Sequence, residues 1–351
     1  MSDGLGQRVG RAVEGLTPGY FALVMASGIV SIGLRLEGFA VLSTALLVVC
    51  GTAFVVLVTL TVVRFVAFRA ATADDFMDPR RAFGFFTFVA ATNVLGVRLG
   101  MQGWYAATAG LLVVAGLTWL VLGYVVPWTA VLGQQERPIV AAANGTWFIW
   151  VVASQSVAVA AATLEPVAES GRRELALLAV MSWSVGVFLY AAVGILVSLR
   201  LMLYKFGPED LTPPYWVSMG ALAITVLAGA RIVEMANAPM VDATRGLIAG
   251  LAVVFWAFAT WLIPVLVAAG WWRHIVRRVP LRYEATMWSI IFPLGMYAVA
   301  GIYLGEVDRL PLVRMVGRLE LWVAFSAWAV VFAAMSWHVT RTVFLARRGH
   351  P

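Results

Sequence analysis

Nine stretches of this chain carry no Asp, Glu, Lys or Arg: Gly15–Leu34, Phe39–Val63, Gly103–Gln135, Pro138–Leu164, Leu175–Leu199, Leu211–Ala230, Gly246–Trp272, Ala285–Gly305 and Leu321–Thr340. A helix needs roughly 20 apolar residues to cross the hydrocarbon core of a bilayer. Nine such runs among 351 residues leave little chain for anything else. A tenth run, Ala82–Val97, is shorter and ends at Arg98. It still reads as a span, because a terminal arginine reaches the interface while its stem stays in lipid. The chain is 62% hydrophobic and 12% charged, where soluble domains carry about 25% charged residues. The spacing predicts an all-α integral membrane protein with ten transmembrane helices, at 17–35, 39–64, 82–99, 103–132, 140–163, 174–203, 215–236, 244–272, 284–305 and 319–344. Residues 1–16 and 345–351 are expected to be cytoplasmic segments flanking one transmembrane domain, 17–344.

The net charge of +7 does not point to nucleic acid, since the arginines are confined to short segments between spans. Placing the N-terminus inside puts 16 of the 25 Lys and Arg on the cytoplasmic face. That bias favours both termini cytoplasmic. The first apolar run is too long for a signal-peptide core and is expected to stay as the first helix. A single cysteine, Cys50, lies mid-span, so neither a disulfide framework nor a cysteine metal site is expected.

Links on the outer face are short at the first two helix pairs, which implies antiparallel hairpins as the building unit, with odd helices starting about 65 residues apart. The odd helices align without gaps over six positions, from Ala26–Ser31, Ala91–Gly96, Ala153–Ala158, Ala223–Ala228 and Gly295–Ala300. The third column holds Gly28, Asn93, Gln155, Thr225 and Tyr297. Any helices rich in Ala, Gly and Val align readily. The even helices lack this polar column, however, and the odd ones share aromatic starts such as Tyr20-Phe21, Trp147-Phe148 and Tyr215-Trp216. Five hairpins around an axis would set a small, polar-sprinkled helix of each inside and a greasy one outside. The column, with Ser27, is then expected to line a neutral central pore, since polar side chains avoid lipid.

Enzymatic chemistry has little to stand on. The histidines are His274, His338 and His350, with no metal-ligand spacing and no phosphate loop, so no cofactor or metal is expected. Ser27 and His338 are the nominees for an intramembrane enzyme. Asn144-Gly145-Thr146 matches a glycosylation acceptor at a depth where none is modified. For transport, no Asp, Glu, Lys, Arg or His sits in the middle of any odd helix, where proton-coupled pumps keep a relay. Arg35, Arg98 and Arg231 end three odd helices on the outer side. Singly each is an ordinary interfacial arginine; together they make a candidate anion-attracting mouth. Glu234 lies one helical turn from Arg231 and is placed to pair with it. Pro293 kinks the ninth helix beside Phe292, which suits a gate, whereas Pro127 and Pro264 read as packing kinks in even helices.

Thr17-Pro18-Gly19-Tyr20-Phe21-Ala22-Leu23-Val24-Met25-Ala26-Ser27-Gly28-Ile29-Val30-Ser31 resembles the first helix of the tellurite-resistance/C4-dicarboxylate transporter family, which includes plant slow anion channels and fungal malate and sulfite transporters. Asn144–Ala158 is similar to its fifth helix and Trp288–Tyr297 to its ninth. The resemblance runs from about Thr17 to Arg341. It implies five inner and five outer helices around a pore, assembly as a homotrimer, and a ninth-helix phenylalanine occluding the pore, which falls on Phe292. Trp147 and Phe148 are its candidate aromatic neighbours. The long phosphorylated termini of plant members are not matched, so that regulation is not carried over. The reading is a non-enzymatic channel or uniporter of the inner membrane for small inorganic anions or C4-dicarboxylates such as malate. Its alternatives are a proton-coupled dicarboxylate or sulfite carrier and, from another class, the intramembrane enzyme.

Overall fold

A computed structural model describes residues 5–345 except 136, 237 and 308. Residues 346–351 of the expected C-terminal tail lie outside the described residues, as do residues 1–4. Five helical hairpins build the molecule: α2 (Ala22–Leu36) with α3 (Ala40–Ala67), α5 (Phe86–Gly100) with α6 (Tyr105–Val126), α7 (Phe148–Leu164) with α8 (Arg172–Leu203), α9 (Val217–Val233) with α10 (Pro239–Trp271), and α11 (Trp288–Val307) with α12 (Pro311–Val339). Two short helices, α1 (Leu5–Glu14) and α4 (Arg69–Met77), lie outside the ten expected spans. With their flanking turns, ten helices are long and apolar enough to cross a membrane.

The two members of each hairpin differ in what surrounds them. The first members pack each against the next, and α11 returns to α2, so they close a five-membered ring. Their apolar windows are 78 to 89% buried, whereas those of the second members are 17 to 22% buried. The inner and outer rings expected from the sequence are therefore present, and the outer ring shows large side chains such as Val41, Phe188, Trp261 and Val330 at its surface.

Local chemistry sets the ends of these helices. Gly38 and Gly103 adopt φ values of 84° and 82° in equivalent links of the first two hairpins, a backbone region open to glycine at little cost. The tenth span starts at Pro311 rather than 319 and the eighth at Pro239 rather than 244. Proline suits the first helical turn because the N–H it lacks has no partner there. The fifth span starts at Gly145 rather than 140, because the Asn144 side chain accepts from the Thr146 backbone N–H and caps the turn. On the same face, α4 is tied to α3 through Asp75, whose carboxylate lies 2.7 Å from Arg64 and 2.9 Å from Arg81.

A shared device opens every inner helix. Pro18–Phe21, Ala82–Phe85, Gly145–Trp147, Pro213–Trp216 and Ala285–Met287 are 3-10 turns that run directly into the inner helices. These turns pack on one another in a second closed ring, a collar around the helix starts. Backbones approach so closely there that a Cβ on Gly145 would collide with the Pro214 carbonyl group. This end is called the N-terminal face below, and the opposite end the distal face.

Small residues join the two rings. A Cβ on Gly317 of α12 would stand 2.7 Å from both the Ala298 carbonyl oxygen and the Ile302 nitrogen of α11. Gly250 of α10 faces open space instead. Gly317→Ala is expected to lower the melting temperature in detergent, with an overpacking cost of about 1–3 kcal/mol. Gly250→Ala is expected to leave it unchanged or raise it, by at most about 1 kcal/mol. A thermal melt of the two variants side by side checks both, and equal behaviour would deny the close contact between α11 and α12.

Candidate functional site

One stripe of each inner helix faces a small central cavity. Ile29 and Ile32 of α2, Val94 and Val97 of α5, Ser156 and Val159 of α7, Ile224 and Leu227 of α9, and Met296 and Val299 of α11 line it at two successive levels. Asn93, Arg231 and Tyr303 complete the wall. The cavity holds only about 20 Å³, room for roughly one water. Among its lining residues there is no carboxylate and no histidine.

Its polar groups sit at two places. Asn93 donates from Nδ2 to Ser156 Oγ at 2.9 Å, tying α5 to α7, and its Oδ1 has no partner. Towards the distal face, the Arg231 guanidinium lies 4.3 Å from the centre of the Tyr303 ring, within range of a cation–π attraction. Its Nε is enclosed without a partner. Among the described residues no carboxylate lies at ion-pair distance from Arg231, Glu234 included.

Phe292 extends the same stripe towards the N-terminal face. Phe292, Met296, Val299 and Tyr303 are spaced by four, three and four residues, which keeps them on one side of a helix. Phe292 is 1% exposed, one turn beyond the cavity. Pro293 lies against α9, where Gly220 leaves room for its ring; a Cβ there would come within 2.8 Å of Pro293 Cγ. Phe292 thus sits on the lumen stripe, while Pro293 wedges the helix against its neighbour. Trp147 is buried at the collar, stacked on Phe83 at 4.8 Å with its indole donating to the Pro79 carbonyl, and Phe148 packs on Tyr190 of the outer ring. Neither belongs to the cavity wall.

The polar column expected to line the lumen is placed otherwise. Of Ser27, Gly28, Asn93, Gln155, Thr225 and Tyr297, only Asn93 borders the cavity. Ser27 accepts the Trp328 indole N–H of α12 at 2.9 Å. Gln155 donates to the Trp183 carbonyl of α8 at 3.1 Å. The Tyr297 hydroxyl pairs with Thr260 of α10 at 2.7 Å. The Thr225 hydroxyl turns back to Ala221, while its carbonyl accepts the Trp183 indole. Gly28 makes room for Val94 and for Cys50 of α3. The cause is register. The lumen residue occupies the fourth column in α2, α5 and α7 (Ile29, Val94, Ser156) but the second in α9 and α11 (Ile224, Met296). Each single-residue step turns a side chain by about 100°.

The three arginines part company for the same reason. Arg231 faces the lumen. Arg98 follows Val97 by one residue and is rotated out of the cavity into the contact with α2 and α3. There it is 0% exposed, donating to Ser31 Oγ and Ser43 Oγ at 2.8 Å each, with Nη1 unpartnered. Arg35 is exposed at the distal face.

Ser27 and His338 are not brought together. Ser27 is bonded to Trp328, which precedes His338 by ten residues on α12, about 15 Å along a helix axis. His338 instead lies against Tyr283 at 5.4 Å. Sequence reasoning missed the apolar stripe that forms the lumen, although its spacing of three and four residues was present on every odd helix.

Comparison with known proteins agrees with this architecture. Residues 15–336 match the model of the voltage-dependent anion channel family. An uncharacterised membrane protein of Mycobacterium tuberculosis is 62% identical over 156 residues, which is 44% of this chain and 79% of that protein. Two uncharacterised transporters of Methanocaldococcus jannaschii are 22% identical over 327 residues, covering 91% of this chain and 92% of the relative, and 26% identical over 188 residues, covering 53% and 54%. The similarity spans the whole five-hairpin unit, from the first 3-10 turn to α12, and the chain belongs to the voltage-dependent anion channel family.

Proposed function

We propose that this protein passes small anions, inorganic or C4-dicarboxylate, through the lumen of its inner ring, with Phe292 as the closure and Arg231 as the group that draws the anion in. The observation that carries the reading is Arg231: an arginine without a carboxylate partner, facing a cavity bordered by all five inner helices. An unneutralised cation in a low-dielectric wall favours an anion strongly. A lumen otherwise lined by aliphatic side chains offers weak binding, which suits passage over retention. Arg35 and Arg98 add positive charge at the same end. Family membership supports anion transport in general, and the sequence resemblance supports a homotrimer. The arginine bias supports both termini in the cytoplasm, and with it placement in the inner membrane.

A proton-coupled carrier would lack the usual relay, since neither a carboxylate nor a histidine borders the cavity. Anion flux into proteoliposomes is therefore expected to be the same with and without a pH gradient. Obligatory dependence on the gradient would replace the channel reading with the carrier.

Phe292→Ala is expected to raise anion conductance by about tenfold or more, a barrier change of about 1.4 kcal/mol, recorded in planar bilayers. Unchanged current in a folded variant would remove Phe292 from the closure. Arg231→Gln keeps a polar, though shorter, side chain while removing its charge. The reversal potential under a salt gradient is expected to shift towards lower anion preference. Retained selectivity would take Arg231 out of the permeation path.

A further inference from the structure

A second and much larger space lies outside the inner ring. A groove of about 660 Å³ opens between α10 and α12 at the N-terminal face, within the size range of sites that hold small-molecule ligands. Leu266 and Val267 of α10 form one wall and Val330 and Val331 of α12 the other. Its floor is Met287 of the last collar turn with Ile290 and Ile291 of α11, the stretch leading directly into Phe292. The walls are apolar, and Val267 and Val330 are exposed on the outer ring.

The rim is basic. From 273 to 284 the chain carries Arg273, His274, Arg277, Arg278 and Arg282 against a single carboxylate, Glu284. Arg273 and Arg282 border the groove itself. Arg273 donates from Nη1 to the Leu211 carbonyl, and its Nε is enclosed without a partner. Neither arginine has a carboxylate at ion-pair distance among the described residues. The Glu284 carboxylate accepts from Thr286, and His274 Nδ1 is engaged with the Val279 carbonyl. Tyr283 stays a neutral phenol, because burial and then its hydrogen bond with Tyr20 push its pKa above the ordinary range.

We propose that this groove binds one anionic phospholipid, with an acyl chain between α10 and α12 and the phosphate held by Arg273 and Arg282. An apolar cleft between outer helices, capped by arginines without a carboxylate partner where the spans leave the bilayer, matches the two halves of such a molecule. A zwitterionic lipid would bring its own cation to the same arginines. A second copy of the chain would bring outer-helix ends of like sign at this level, such as Lys205 and Arg341.

The test uses the full-length protein in detergent. Native mass spectrometry with phosphatidylglycerol and phosphatidylcholine of identical chains is expected to retain phosphatidylglycerol preferentially. Gly270 borders the groove, and a Cβ there meets nothing within 4 Å, so Gly270→Phe fills the space without a backbone clash. That variant is expected to lose the bound lipid. The double variant Arg273→Gln, Arg282→Gln is expected to lower the headgroup preference by roughly tenfold or more. Photo-crosslinking with a diazirine-bearing phosphatidylglycerol needs no variant, and its adducts are expected within 266–270 and 327–334. Equal retention of the two lipids, adducts elsewhere on the outer ring, or a Gly270→Phe variant that loses its oligomeric state while keeping its lipid would each overturn the proposal.

Discussion

A polar side chain in the hydrocarbon layer has no water to fall back on, and leaving it unpaired costs on the order of kilocalories. In this fold that cost is met between the rings. Trp328 to Ser27, Gln155 to the Trp183 carbonyl, Trp183 to the Thr225 carbonyl, Trp119 to Ser154 and Thr260 to Tyr297 each span from an inner to an outer helix. Gly186 leaves room for the Gln155 side chain, and Gly229 for the Trp183 indole. Gln155 to Trp183 closes a hairpin, whereas the other four tie an outer helix to the inner helix of a neighbouring hairpin. An aliphatic lumen follows, with Asn93, Ser156 and Arg231 as the polar exceptions beside the Tyr303 ring.

That division explains how far the sequence could be read. The charge-free runs define the ten spans because the hydrocarbon layer penalises charge wherever it falls along them. The polar column Gly28, Asn93, Gln155, Thr225 and Tyr297 marks a buried helix face. Burial against an outer helix and burial against a lumen leave the same trace in composition, however, so its direction was not legible. The column was also aligned on small residues, two positions out of register in α9 and α11. At 100° per residue that error is enough to exchange a lumen side for a packing side. Arg98 and Arg231 look alike in sequence for this reason, yet one braces Ser31 and Ser43 while the other faces the cavity.

Phe292 is the reverse case. Composition alone gives no reason to select one buried phenylalanine over another, and the neighbouring Pro293 together with the family resemblance singled it out. The structure adds an independent placement, on the stripe of Met296, Val299 and Tyr303 and one turn beyond the open space. The α1 and α4 helices went unread because they lie in charged segments between or before spans. The buried pair of Arg64 and Asp75 that fixes α4 joins residues whose contact needs the folded chain.

All five inner helices begin at the collar of 3-10 turns and run in the same direction. Each α-helix carries about half a positive elementary charge at its start and half a negative one at its end, concentrated in the terminal turns. Five parallel starts therefore make the collar end electropositive through backbone alone, without any side chain. The opposite end gathers five negative helix termini, and Arg35, Arg98 and Arg231 stand there to offset them. The collar end thus owes its positive potential to peptide dipoles, while at the opposite end guanidinium groups stand against negative helix termini. The field along the axis is therefore not symmetric about the midplane, and under the proposed function the helix orientation itself would make currents in the two directions unequal.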